Sequence, residues 1–172
     1  MDKLLAHYKR MADWLECAGH YGGGLLLIRV LMAYEYGNAG LKKFNGNNWF
    51  SKFQDDFIFP FNIVPPDISW FLATWFEILG AVGLLIGLFT RFWAFSLIIL
   101  TIVAISGVHW PSDWSSLGEL WNGYRVSAKN GSGNFRIPLL FIAMLIPLVV
   151  SGAGRLGVDR YVGGPLGPNK NA

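Results

Sequence analysis

The residues best placed to do chemistry are those whose charge conflicts with their surroundings. Glu77 stands in WFEILGAVGLLIGLFTR, residues 75–91, an apolar run that also holds Gly80, Gly83 and Gly87. A lone carboxylate in such company is strongly disfavoured, so it must meet a cation inside a bundle or hold a proton that some reaction uses. At about 100° per residue, Glu77, Gly80, Leu84, Gly87 and Arg91 share one helical stripe, with Gly83 at its edge. Gly83 and Gly87 make a GxxxG pair, which predicts close approach of a neighbouring helix backbone. An earlier segment carries a matching seam of Gly22, Arg29, Ala33, Tyr36, Gly40 and Lys43. On antiparallel helices Arg29 lies roughly 10 Å in from one membrane face and Glu77 roughly 14 Å in from the other. In a core of about 30 Å the two differ in height by about 5 Å, which predicts an Arg29–Glu77 ion pair. Such a pair either fixes helix register or forms a proton or ligand site.

Further polar groups could face a ligand. Glu35 lies about 120° from the seam, near mid-membrane, and must find another helix or a water-filled cleft. His109 ends a third apolar segment and opens HWPSDW, where Trp110 and Trp114 could roof a polar pocket. His109, Tyr36, Glu35 and Trp110 are the candidate contacts to a quinone or another ligand. For His109 the alternative is an interfacial histidine that caps the last carbonyls of its helix. His7 and His20 fall on the opposite side from His109, which argues against a bis-histidine haem, and no recognised metal-binding spacing is present. Cys17 is the only cysteine, so intrachain disulfides, CxxC redox pairs and thiolate-held clusters are excluded.

The elements that must position these groups are membrane helices. Of 172 residues, 53% are hydrophobic, 16% aromatic and only 15% charged, with a mean hydropathy of +0.38. Soluble domains carry about a quarter charged residues. Four segments, near 22–44, 68–90, 92–110 and 135–156, approach the roughly 20 apolar residues that a crossing needs. The expected architecture is all-α: a four-transmembrane-helix bundle with an N-terminal interfacial helix and two longer loops on one side. Residues 1–21 read as an amphipathic interfacial helix through Leu4, Tyr8, Met11 and Leu15, residues 22–162 as the bundle, and 163–172 as a disordered tail. Pro147 predicts a kink near Ala143 in the fourth segment. The lipid bilayer is the expected surroundings. The net charge of +3 is scattered, and nothing in the sequence reads as a nucleic-acid partner. Lys and Arg are shared almost evenly between the two sides; four crossings place both termini on one side, and the expectation is that this side is cytoplasmic.

Three stretches together resemble the DoxX/DoxD family of small integral membrane proteins: RVLMAYEYGNAGLKKF, EILGAVGLLIGLFTR and GAGRLGVDRYV. In the last, Gly157, Val158 and Asp159 stand where the family more usually has Ser-Leu-Asp. The resemblance marks Arg29, Lys43, Glu77, Arg91 and Asp159 as family-typical positions and leaves Glu35 and the Trp-rich loop outside its motifs. It implies a bacterial inner-membrane protein, either a membrane subunit of a quinone-linked oxidoreductase complex of thiosulfate:quinone or oxidative-stress type, or a non-catalytic scaffold or assembly factor. In the first case quinone is the cofactor and the electron donor belongs to a partner subunit.

Overall fold

The computed structural model describes residues 7–11, 22–111, 115–122 and 134–162, and every element among them is helical. Four helices form the body: α1 (Gly23–Phe44), α2 (Pro66–Ile86), α3 (Thr90–Ala104), which runs on as a π-helical turn over Ile105–His109, and, after the short α4 (Leu117–Asn122), α5 (Arg136–Ser151). A single turn, α6 (Asp159–Val162), follows. The start of α1 lies beside the stretch that follows α5, with Gly22 against Gly154 and Arg155. Of the expected interfacial helix, residues 7–11 are helical and exposed, while the rest of 1–21, Trp114 and the tail 163–172 lie outside the described residues.

Local sequence explains the boundaries. Pro66 opens α2 at its first helical position, with Asp67 in the first turn where the helix dipole favours an anion. Gly87, at φ 71°, closes it in the left-handed conformation, and the Leu88 N–H returns to the Gly83 carbonyl. Gly152, also at φ 71°, ends α5. The helix is continuous across Pro147 from Arg136 to Ser151.

The helices pack as an antiparallel ring in which α1 lies chiefly on α2 and α3 on α5, with α2–α3 and α1–α5 contacts closing it. Met32, Tyr36, Leu84, Leu97, Leu145 and Leu148 fill the centre. The glycine stripe of α2 works differently from a GxxxG crossing. Gly80 receives the side chain of Leu97 and Gly83 the indole of Trp93, so these two glycines make room for side chains of α3. Close backbone approach falls at Gly40 of α1, where a methyl would lie 3.1 Å from the Ile78 backbone nitrogen, and at Gly87, where it would lie 2.7 Å from Gly157 Cα.

The connection between α1 and α2 folds over the end of the bundle. Trp49, Phe50 and Trp70 meet edge to face with centroids 5.1–5.7 Å apart across the pairs with Trp70, and Phe57 meets Phe50 edge to face at 5.2 Å. The Gln54 amide donates to the carbonyls of Asn62 and Val64 at 2.9 and 2.7 Å, which pins the strap.

By length and composition, α2 and α3 with its π-turn are each able to cross a bilayer. Helix α1 is 22 residues long but carries Arg29, Glu35, Lys42 and Lys43, and α5 is a shorter apolar helix of 16 residues.

Candidate functional site

The charged residues divide between the two ends of the bundle. Near the start of α1, Arg29 is 1% exposed and, among the described residues, donates to backbone carbonyls: Nε to Leu84 at 2.8 Å, Nη2 to Leu85 at 3.0 Å, and Nη1 to Ala153 and Leu156 at 2.9 and 3.4 Å. The last carbonyls of α2 lack intrahelical partners and carry the negative end of its dipole, so a guanidinium satisfies both needs. Asp159 serves the neighbouring helix start, accepting from the backbone N–H of Phe89 at 2.6 Å and of Thr90 at 3.0 Å. Arg91 donates to the Val150 carbonyl at 3.1 Å. These three residues tie the helix ends together.

The expected Arg29–Glu77 pair therefore does not form. Glu77, 3% exposed, is bound instead by Lys43, whose Nζ lies 2.6 and 2.7 Å from its two oxygens. The reason is a stagger between the helices. Gly40 is the α1 residue level with Glu77, and the first turns of α2 extend past the end of α1 into the loop. Arg29, eleven positions before Gly40, is thus about 16 Å away along the axis. The seam put both cations on the correct face, but only Lys43 stands at the height of the carboxylate.

Beside this pair lies a cavity of about 470 Å³, bounded by all four long helices and by the aromatic loop. Its walls are mainly apolar, including Phe50, Phe57, Phe61, Phe76 and Phe141. Among the expected contacts, Glu35, Tyr36 and His109 line it, together with Lys43 and Glu77. Trp110 does not: its ring packs on Phe135 at 5.5 Å. Arg29 lies outside it as well.

The polar lining has definite hydrogen-bond capacity. Thr101 donates to the Leu97 carbonyl at 2.6 Å, so the 2.6 Å contact between Tyr36 and Thr101 uses the tyrosine proton. Tyr36 can then only accept from a ligand. Lys43 has three N–H groups, two of them used by Glu77, which leaves one. His109 Nδ1 meets Asn134 Oδ1 at 2.5 Å; with the amide oxygen accepting, the ring keeps Nε2 for another partner. His109 closes the π-turn, a helix irregularity frequent at functional sites. Gly107 in that turn makes room for the Phe57 ring.

Sequence reasoning missed Ser69. It is 7% exposed, lines the cavity, and its hydroxyl has no hydrogen-bond partner among the described residues. A buried unpaired hydroxyl is costly unless a ligand or water meets it. A serine near the start of an apolar helix gives no periodic signal, so only the cavity exposes its role. Glu35 is exposed at the cavity and makes no hydrogen bond or ion pair among the described residues.

The DoxX family model matches residues 24–110, half of the chain. A protein of Haemophilus influenzae described as uncharacterized is 39% identical over 141 residues, which cover 82% of this chain and 84% of that one. The chain belongs to the DoxX family. No solved structure matches it. As a DoxX protein it is a membrane protein, and its surface agrees. Leu27, Leu31, Phe71, Leu79, Val82 and Phe95 all point outward and are 44–63% exposed, far more apolar surface than a water-soluble monomer shows. The DoxX match spans α1 through the π-turn, so it includes Arg29, Lys43, Glu77, Arg91 and His109, while Asp159 lies beyond it.

Proposed function

We propose that this DoxX protein crosses the bacterial cytoplasmic membrane four times, through α1, α2, α3 and α5 with both termini cytoplasmic, and is the quinone-binding membrane subunit of an oxidoreductase complex. The observation that carries the reading is the apolar cavity of about 470 Å³ with a few convergent polar groups, the usual build of a small-molecule site. A quinone is a flat apolar ring with carbonyls at opposite edges and an apolar tail. The free N–H of Lys43 and the hydroxyl of Ser69 are donors for a carbonyl, whereas Tyr36 and His109 Nε2 are acceptors for the hydroxyls of the reduced form. A partner chain supplies the electrons. The protein contributes orientation, exclusion of water and proton-bearing groups at the ring edges.

Purification in mild detergent followed by solvent extraction tests this. The wild type should carry quinone in near-stoichiometric amount, and His109→Ala and Ser69→Ala should each lose most of it. A ligand-free wild type that also fails to take up a short-chain quinone would overturn the reading. If that protein held a stable partner chain, the scaffold role would replace it.

A further inference from the structure

Two features that the quinone proposal does not use, Glu35 and the aromatic loop between α1 and α2, line the same cavity. The ionisable side chains in the described lining are Glu35, Tyr36, Lys43, Glu77 and His109, and the Tyr36 phenol is neutral. Lys43 is engaged by both oxygens of Glu77, so that pair is neutral as a unit. Glu35, exposed at the cavity, then leaves one carboxylate without a counter-charge among the described residues, beside walls that are mostly hydrocarbon. A carboxylate so placed needs a cation or a proton.

The surrounding rings supply the rest of a recognition site. Trp49, Phe50, Phe57 and Phe61 come from the loop, and Phe76 and Phe141 from α2 and α5. Aromatic faces attract cations, most strongly where water is scarce, and cages of them recognise quaternary ammonium groups. A neutral quinone uses neither the uncompensated charge nor the ring faces in this way.

We infer that the cavity binds a lipophilic organic monocation, a quaternary ammonium or phosphonium with apolar substituents, with Glu35 as its counter-ion. The compact, strongly hydrated ammonium of a free lysine or a metal cation does not fit these walls, because neither can surrender its hydration to one carboxylate and hydrocarbon. The bulk of the ligand rests on the aromatic loop, and its charge faces α1. This inference stands on the cavity and on Glu35 and does not require the quinone reading.

The test titrates tetraphenylphosphonium into the detergent-purified full chain by calorimetry, with neutral triphenylphosphine oxide as the uncharged comparison. The wild type should bind the cation saturably at one site and prefer it to the neutral probe. Glu35→Gln should weaken cation binding by at least about tenfold while leaving the neutral probe unchanged, and Glu35→Asp should keep most of the affinity. Equal binding of charged and neutral probes by the wild type would overturn the inference even if the variants failed to fold. So would undiminished cation affinity in a folded Glu35→Gln, or no saturable binding at all. Quinone content, read separately on the wild type, tells a failure of this inference from a failure of the redox proposal.

Discussion

At the scale of single residues, the decisive pairing is Lys43 with Glu77. Glu77 is almost fully enclosed, and the lysine side chain is 16% exposed, so each removal leaves a charge with little water to take the partner's place. Double-mutant cycles on melting in detergent should separate the two candidate cations. The pair Lys43→Met with Glu77→Gln should show a coupling of about 1–3 kcal/mol. Arg29→Met with Glu77→Gln should be additive within about 0.5 kcal/mol, because these residues share no partner and sit far apart. Coupling of Arg29 to Glu77 as large as that of Lys43 would contradict the geometry. The residues themselves were legible in the sequence: Arg29, Tyr36, Gly40 and Lys43 share one face, and the structure buries the first three. Which cation meets the carboxylate was not legible, since periodicity fixes the angle around a helix and says nothing of how far one helix slides along another.

At the scale of elements, Arg29 joins structures that are distant in sequence. One guanidinium binds the last turn of α2 through Leu84 and Leu85 and the stretch after α5 through Ala153 and Leu156. The backbone adds a second tie there, where the Asp159 N–H donates to the Gly87 carbonyl at 2.9 Å. A lysine carries the charge but lacks the planar fork that can serve two chain ends together. Arg29→Lys should therefore lower stability by at least about 2 kcal/mol, the cost of leaving buried carbonyls unmet. Hydrogen exchange should rise at the end of α2 and around residues 153–157, with the α1–α2 contact at Gly40 unaffected. A stable variant with unchanged exchange would show that the carbonyls have other partners. Helices α2, α3 and α5 were readable as apolar runs ended by glycine or polar residues, and α1 by the helical spacing of its seam. Their glycines were less so: a small-residue stripe looks the same whether it admits a backbone or, as at Gly80 and Gly83, a leucine and an indole.

At the scale of the whole molecule, four crossings must be reconciled with two features of the helices. Helix α5 is only about 24 Å long against a hydrocarbon core of about 30 Å, and α1 carries more charge than an isolated span tolerates. Packing answers the second objection. Arg29 is spent on carbonyls and Lys43 on Glu77, both inside the ring, which leaves Glu35 at the cavity and Lys42 in the last turn of α1. Against the first stands the packing of Gly157 on Gly87, which ties the segment after α5 to the end of α2. An even number of crossings puts both termini on one side and the α1–α2 loop on the other. Basic residues are too evenly divided for the sequence to choose which side is which. In a Cys17→Ser background, single cysteines at Lys3, Lys52 and Asn169 should settle it with a membrane-impermeant maleimide on intact cells whose outer membrane is opened. Lys52→Cys should react before lysis, and Lys3→Cys and Asn169→Cys only after. The reverse pattern would keep four crossings and invert the protein, whereas opposite behaviour of the two terminal cysteines would require an odd number and would remove α1 or α5 from the membrane. A cavity walled by all four helices would then be open to water on one flank. The uncompensated Glu35 would need neither a cation nor a proton, so the topology experiment also bears on the ligand chemistry inferred for that residue.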